Sequence, residues 1–196
     1  MGSTVHEPEY YIPLNGKGDT AIYVLRRLSG EGSDRSETDL HLSETEIRDI
    51  LSLNYQYEKF MLVVNAGGYV DLSPVSHVKN ILILSQLGVE SGHVLADILL
   101  GKAVPSGHLT KTWAKRSDAY QDTEFGNQDD TRYKEGIYVG YRYYDSAGIK
   151  PLYPFGYGLS YTEFDIVPGE FFQKGEEIRV KCKVRNTGMH AGREAV

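Results

Sequence analysis

A single carboxylate stands between two glycines in the segment Ser29-Gly-Glu31-Gly-Ser-Asp34-Arg35. An apolar run over residues 21–25 precedes it, so this loop follows a predicted strand. Glycine permits positive φ and a close approach of the backbone to a ligand, and loops at the carboxyl ends of strands are where open α/β sheets bind small molecules. The pattern is therefore typical of an acid presented to a ligand. It is equally typical of a flexible turn with a solvated acid, and the local sequence leaves both interpretations open.

Two further pairs of residues could take part in chemistry. Asp34 and Arg35 could form a local ion pair that fixes the loop holding Glu31, although exposed pairing without function is an equal alternative. His93 and Asp97 are four residues apart on a predicted helix and could share a metal ion. Because no third ligand stands at a suitable spacing, surface polar pairing of these two side chains is favoured over a metal site.

The elements that must position Glu31 follow the order strand, helix, strand, short connection, strand. Apolar runs predict three buried strands, over residues 19–25, 60–64 and 80–84. The segment Ser43-Glu-Thr-Glu46 matches a capping box and predicts a helix over residues 43–55. A second helix is predicted over residues 91–100. This order predicts an α/β fold with a mostly parallel sheet flanked by helices.

The sequence changes character near residue 166. Residues 176–185 alternate strictly between apolar and charged side chains, which predicts a half-buried antiparallel strand. A turn follows at Asn186-Thr-Gly188, and the chain ends at Val196. We therefore expect the beginning of an all-β unit that contains one clear strand and lacks the partner strands it needs.

Composition and charge limit the class of partner. The net charge of −6 and the lack of a dense Lys/Arg cluster argue against nucleic acid and against anionic membranes. Neither a membrane-spanning apolar stretch nor a signal peptide is recognised, which predicts a cytoplasmic location. The single cysteine, Cys182, excludes an intrachain disulfide and a cysteine-based zinc cluster.

Several long segments match the motifs of one known family, in the same order. They are residues 29–35, Val63-Val-Asn-Ala-Gly-Gly-Tyr-Val-Asp71, residues 95–101, Pro105-Ser-Gly-His-Leu109, residues 133–145 and residues 151–161. With these motifs, the chain resembles glycoside hydrolase family 3, a family of retaining β-glucosidases and related exo-acting enzymes. Residues 186–192 extend the likeness into the family's fibronectin-type β-sandwich. The resemblance implies the later portion of an α/β sandwich domain over residues 19–165, after an arm at 1–18, and the truncated start of a fibronectin III-like domain over residues 166–196.

The resemblance also implies a function and a partner. In this family an α/β sandwich domain packs against a TIM-like barrel, which would come from the parent chain or from another chain. The residue that matches the family's general acid/base is Glu31, and the nucleophile is an aspartate of the barrel. Asp34 and Arg35 are expected to support the loop, because their positions after Gly32 suit a local anchor. The implied substrate is a β-glucoside or oligosaccharide, and neither a metal ion nor another cofactor is needed. The isolated chain is expected to be inactive.

A different class of function stays open beside this one. The chain could be a non-catalytic sugar-binding or interaction module that keeps the same fold and binds through its tyrosine-rich surface, since tyrosine combines a flat apolar ring with a hydroxyl. Glu31 separates the two hypotheses. A binding module has no need for an acid presented on a glycine loop.

Overall fold

The computed structural model describes residues 16–28, 30, 32, 33, 35–115 and 133–196. The elements are β1 (Thr20–Arg26), α1 (Glu44–Gln56), β2 (Lys59–Asn65), β3 (Ile81–Ile83), α2 (Ser91–Leu99), α3 (Tyr141–Ala147), β4 (Phe164–Lys174) and β5 (Glu177–Asn186). Short 3-10 helices lie at Glu37–Leu40, Ser73–Val75 and Gly88–Glu90. Within these ranges, no helix has both the length and the apolar character needed to cross a membrane.

The described residues fall into two compact units. Unit 1 takes its residues from 1–91 and 113–153, and unit 2 takes its residues from 92–112 and 154–196. Unit 1 contains the parallel sheet and α1, and unit 2 contains the hairpin of β4 and β5. The arm predicted over residues 1–18 lies mostly outside the described residues, because the structure describes nothing before Gly16.

The sheet of unit 1 has the strand order β1-β2-β3, with both pairs parallel. The central strand β2 is the most deeply buried of the three, and Leu62, Val63 and Val64 are fully inaccessible. A central parallel strand is covered on both faces, which explains why its sequence is an uninterrupted apolar run. The three predicted strands and their parallel arrangement are confirmed.

Helix α1 begins where its capping box predicts. The Ser43 hydroxyl accepts a hydrogen bond from the Glu46 amide at 3.1 Å, and the Glu46 carboxylate accepts one from the Ser43 amide at 2.9 Å. Ile50 and Leu53 on the inner side of the helix are buried. The helix predicted over residues 43–55 is confirmed, as is the second helix, which forms α2.

Unit 2 departs from the expectation of one half-buried strand in two ways. A second strand, β4, pairs with β5 in antiparallel register, with a bulge between Pro168 and Phe171. Proline and glycine at 168 and 169 break the period-two pattern by which a strand is recognised, so β4 was not predicted. The predicted half-burial of β5 is wrong, since every residue of this strand is exposed. Within the part of the chain that the structure describes, only β4 pairs with β5.

The sequence did not predict helix α3. It has only seven residues, too few for an apolar period to stand out, and Tyr144 is its one buried residue. Its boundaries depend on glycine, because Gly140 precedes the helix with φ of 61° and Gly148 ends it with φ of 64°. A left-handed residue after the last turn is a common helix stop, and glycine adopts it without a steric penalty.

Candidate active site

Three loops meet at one edge of the parallel sheet. In the strand register, Arg26 at the end of β1 lies beside Asn65 at the end of β2, and Val64 lies beside Ile83 at the end of β3. Parallel strands bring their carboxyl ends to the same edge, which is where open α/β sheets bind ligands. The loop that contains the Gly-Glu-Gly motif follows β1 at this edge. Glu31 and Asp34 themselves lie outside the described residues.

The described part of this loop forms a tight turn. The Ser33 amide donates a hydrogen bond to the Gly30 carbonyl at 3.2 Å, and Gly32 within the turn has φ of 72°. A residue with a side chain rarely adopts this backbone conformation, so the turn requires a glycine at position 32. The positive φ expected from the flanking glycines is confirmed at Gly32.

Arg35 connects the loop after β1 to the loop after β2. Its Nη1 donates to the Tyr69 carbonyl at 3.0 Å, and its Nη2 donates to the Asp39 carbonyl. Partial burial lowers the pKa of Arg35, and the charge of Arg27 lowers it further. The guanidinium therefore binds two backbone carbonyls that are 30 residues apart in the chain. These contacts agree with a supporting role, although the role of Arg35 stays a prediction.

The loop after β2 is itself held by aromatic packing. The rings of Tyr69 and Trp113 meet edge to face with their centroids 5.5 Å apart, and Trp113 is only 2% exposed. Trp113 also forms an isolated antiparallel bridge with Tyr153. The carbonyl to which Arg35 donates thus belongs to a residue fixed against the core of unit 1.

Arg27, the first residue after β1, forms an extensive set of contacts near the loop. It makes a bidentate ion pair with Glu46, with both N–O distances 2.7 Å. It also donates to the carbonyls of Arg26, Asp39 and His41, at 2.9, 3.1 and 2.9 Å. Burial alone would lower the pKa of Arg27, but the hydrogen bonds and charge of Glu46 more than offset this and raise it.

Arg27 and Glu46 are not among the site residues that the sequence predicts. Glu46 was recognised only as part of the capping box of α1, and the structure shows that its carboxylate also binds Arg27. A basic residue directly after a strand that leads into a glycine loop is the one sequence signal available, and it is weak. The pairing joins residues 19 positions apart, which no local pattern predicts.

The segment that closes the loop is the 3-10 helix Glu37–Leu40. The Asp39 carboxylate caps it by accepting hydrogen bonds from the Ser36 amide at 3.1 Å and from the Ser36 hydroxyl at 2.8 Å. The bond from the Ser36 side chain is the main cause of a lowered pKa for Asp39. The Leu40 carbonyl accepts from the Asp71 amide at 2.7 Å, which ties this helix to the segment after β2.

The remaining candidate pair, His93 and Asp97, lies on α2. Among the residues that the structure describes, no group of three His, Cys, Asp or Glu side chains is placed to hold a metal ion. The arrangement at the sheet edge is built from backbone carbonyls, the two arginines Arg27 and Arg35, and the carboxylates of Asp39 and Glu46. It can hold a loop firmly at the carboxyl ends of β1 and β2.

The model of the glycosyl hydrolase family 3 C-terminal domain matches residues 13–161. The chain belongs to glycosyl hydrolase family 3. It is 38% identical over 172 residues to thermostable beta-glucosidase B of Acetivibrio thermocellus, covering 85% of this chain and 22% of that protein. It is 36% identical over 178 residues to beta-glucosidase A of Butyrivibrio fibrisolvens, covering 74% of this chain and 21% of that protein.

Two solved beta-glucosidase structures have a similar fold over most of this chain. Beta-glucosidase 3B from Thermotoga neapolitana in complex with glucose matches with a TM-score of 0.80 and 39% identity, covering 89% of this chain and 26% of that one. A beta-glucosidase from Paenibacillus barengoltzii matches with a TM-score of 0.78 and 32% identity, covering 87% of this chain and 20% of that one. The chain spans about a fifth of the length of the curated relatives.

Proposed function

We propose that this chain is the part of a retaining β-glucosidase that supplies the general acid/base, Glu31. The substrates would be β-glucosides or oligosaccharides with a terminal β-D-glucosyl residue. Family membership and the beta-glucosidase names of the relatives support the substrate class. A neutral, polar ligand also agrees with the net charge of −6 and the lack of a basic cluster in the sequence.

The observation that carries the proposal is the way in which the loop is held. A general acid must stay within hydrogen-bond reach of the atom that it protonates, so its backbone has to be fixed. Arg35 fixes the loop to the Tyr69 carbonyl, and the turn at Gly30 and Ser33 shapes the loop. A solvated turn without function does not need an arginine that binds two carbonyls from separate segments.

In the proposed reaction, Glu31 donates its proton to the glycosidic oxygen as the bond to the leaving group breaks. A carboxylate on the opposite face of the sugar attacks the anomeric carbon, and Glu31 then removes a proton from the water that hydrolyses the intermediate. Retention requires the two carboxyl groups to be only about 5–5.5 Å apart. The nucleophile would be an aspartate of a TIM-like barrel, from the rest of the parent protein or from another chain. Neither a metal ion nor another cofactor takes part in these steps.

The test is a Glu31→Ala variant of the complete protein, assayed with two classes of glucoside. Substrates with poor leaving groups need protonation, so their hydrolysis should slow by about 10²- to 10⁴-fold. Activated aryl glucosides need little help in the first step, and added azide should restore part of their turnover by replacing the base-assisted water. Glu58→Ala is the matched control, because Glu58 is exposed and directly precedes β2, at the opposite edge of the sheet.

Equal losses for both substrate classes, with no effect of azide, would assign Glu31 a structural role. The alternative function, a non-catalytic sugar-binding module, makes a different prediction for the same variant. Tyr133, Tyr138 and Tyr141 are exposed and could contact a sugar ring. A protein that bound glucosides without hydrolysing them, and bound equally well after Glu31→Ala, would favour that alternative.

A second test uses the 196-residue chain alone. We expect it not to hydrolyse β-glucosides, because a retaining mechanism needs a second carboxyl group that the proposal places in a barrel. We also expect self-association, since apolar residues of the hairpin are exposed, among them Ile178 at 77% and Phe171 at 70%. A monomeric chain with Glu31-dependent hydrolysis of an aryl β-glucoside would contradict the assignment of the nucleophile to a barrel.

A further inference from the structure

We propose that Arg27, held by Glu46, is the positioning residue that sets where the Gly-Glu-Gly loop lies at the edge of the sheet. The inference rests on the proposed function, because positioning matters only if the loop carries the general acid/base. It assigns a role to an ion pair that neither the sequence motifs nor the family match singles out.

Arg27 uses its full capacity to donate hydrogen bonds. A guanidinium carries five N–H groups in a rigid planar fork. Arg27 makes five hydrogen bonds, two to the carboxylate of Glu46 and three to backbone carbonyls. The side chains of Arg27 and Glu46 are only 13% and 14% exposed. The pair is thus a nearly buried, fully satisfied unit and not an incidental surface contact.

The hydrogen bonds of Arg27 connect the two ends of one segment of the chain. Arg27 directly precedes the segment 28–41, which contains the loop and the 3-10 helix Glu37–Leu40. Its side chain binds the carbonyls of Asp39 and His41, at the other end of the same segment. Both ends of the segment therefore meet at one guanidinium, and Glu46 fixes that guanidinium to the first turn of α1. The backbone amide of Arg27 donates to the Asn65 carbonyl at 3.1 Å, which anchors the Arg27–Glu46 pair to β2.

Arg27 and Arg35 hold different parts of this segment. Arg35 lies within the segment and holds its middle to the Tyr69 carbonyl, whereas Arg27 determines how far apart the two ends of the segment are. The two arginines donate to a common acceptor, the Asp39 carbonyl. A change in the position of Asp39 therefore alters both anchors. Loss of Arg27 should displace the loop as a whole, while the turn inside it can persist.

A lysine at position 27 tests this geometry without removing the charge. Lysine has three donors on a single nitrogen and lacks the planar fork, so it cannot reach a bidentate carboxylate and three carbonyls together. The ends of the segment would then be held less tightly. A misplacement of 1 Å can cost about 10²-fold in rate, since the acid must be aligned with the glycosidic oxygen.

The experiment compares Arg27→Lys, Glu46→Gln and the control Arg26→Lys in the complete protein. Arg26 is the same residue type one position earlier, and its side chain is exposed. The readout is the rate with a poor-leaving-group glucoside divided by the rate with an activated aryl glucoside. A variant that is merely less stable loses active molecules, which lowers both rates equally and leaves this ratio unchanged.

We expect Arg27→Lys and Glu46→Gln to lower the ratio by about 10-fold or more, with both limbs of the pH profile retained, and Arg26→Lys to leave it unchanged. Glu46→Gln keeps the size of the side chain, so it gives a second measurement if Arg27→Lys folds poorly. An unchanged ratio in both variants, measured on folded protein, would overturn the inference.

Amide hydrogen exchange in the complete protein separates this inference from the proposed function. Arg27→Lys should speed exchange at Ser33, Arg35 and Ser36, while the amides of β2 keep their protection. If exchange responds but Glu31→Ala has no leaving-group effect, Arg27 holds a loop that is not catalytic, and the proposed function fails. If Glu31→Ala behaves as expected but neither the ratio nor exchange responds to Arg27→Lys, the positioning role fails by itself.

Discussion

Replacement of Arg35 by alanine is the most direct perturbation of the loop after β1. It removes the donor at 3.0 Å from the Tyr69 carbonyl and the second bond to the Asp39 carbonyl. The Asp39 carbonyl keeps the Arg27 Nε donor at 3.1 Å, so the principal loss is the connection to Tyr69. Because Tyr69 is 9% exposed, its carbonyl lies in a region where a lost donor is poorly replaced by water.

The hydrogen bonds that Arg35→Ala removes determine the expected loss in the free energy of unfolding. A hydrogen bond from a charged donor contributes about 1.5–3 kcal/mol to stability. Arg35 is half-buried, and burial lowers its pKa, so part of that gain is offset by the cost of desolvating the guanidinium. We therefore expect Arg35→Ala to lower the free energy of unfolding by about 1–2 kcal/mol. In the complete protein, a shifted loop should reduce kcat by about 10- to 100-fold, since a misplacement of 1 Å can cost about 10²-fold in rate.

Urea unfolding of the 196-residue chain measures the first effect, and a pH–rate profile of the complete protein measures the second. Both limbs of the profile should remain, because Arg35→Ala misplaces the acid without removing a titrating group. Arg48→Ala is the control, since the Arg48 side chain on α1 is 49% exposed and partly exposed ion pairs, such as the one it forms with Asp49, contribute little. A missing limb would make Arg35 a catalytic residue, and unchanged stability and rate would remove it from the supports of the loop.

Two further predictions concern unit 1. Ile50→Ala should destabilise the chain by about 2–5 kcal/mol, because Ile50 on α1 is fully inaccessible and its loss leaves a cavity, whereas Ser52→Ala should have little effect in the same urea titration. Burial raises the pKa of Tyr144 from 10.0 to about 12, so the folded state holds a proton that the unfolded state releases above pH 10. Stability should therefore fall as the pH rises from 10 towards 12, and Tyr144→Phe should make this fall shallower; an equally steep fall in the variant would contradict the assignment.

The local sequence was sufficient to predict the elements whose contacts join residues close together in the chain. The capping box of α1 joins residues three positions apart, and the structure forms it as predicted. The strand β2 is apolar at nearly every position because a central parallel strand is covered on both faces, and this pattern also predicted the type of sheet. The position of the glycine loop after β1 followed from the same reasoning.

Exposure of β5 shows where a local pattern is insufficient. Its strict alternation correctly predicted a strand, but alternation only indicates that one face is suited to burial. Whether that face is buried depends on what packs against it. Among the described residues, β5 pairs with β4 alone and both strands remain largely exposed. The same argument applies to α3, whose single buried residue gives no periodic signal.

The family motifs, the parallel sheet and the candidate acid could be predicted because residue types within a few positions of one another encode each of them. The contacts that hold the loop could not, because they join distant parts of the chain. Arg27 and Glu46 are 19 residues apart, and Arg35 and Tyr69 are 34 residues apart. These partners meet because β1, α1 and β2 pack with a particular register, and hydrogen bonds of a few ångströms form only after that packing has brought distant segments together.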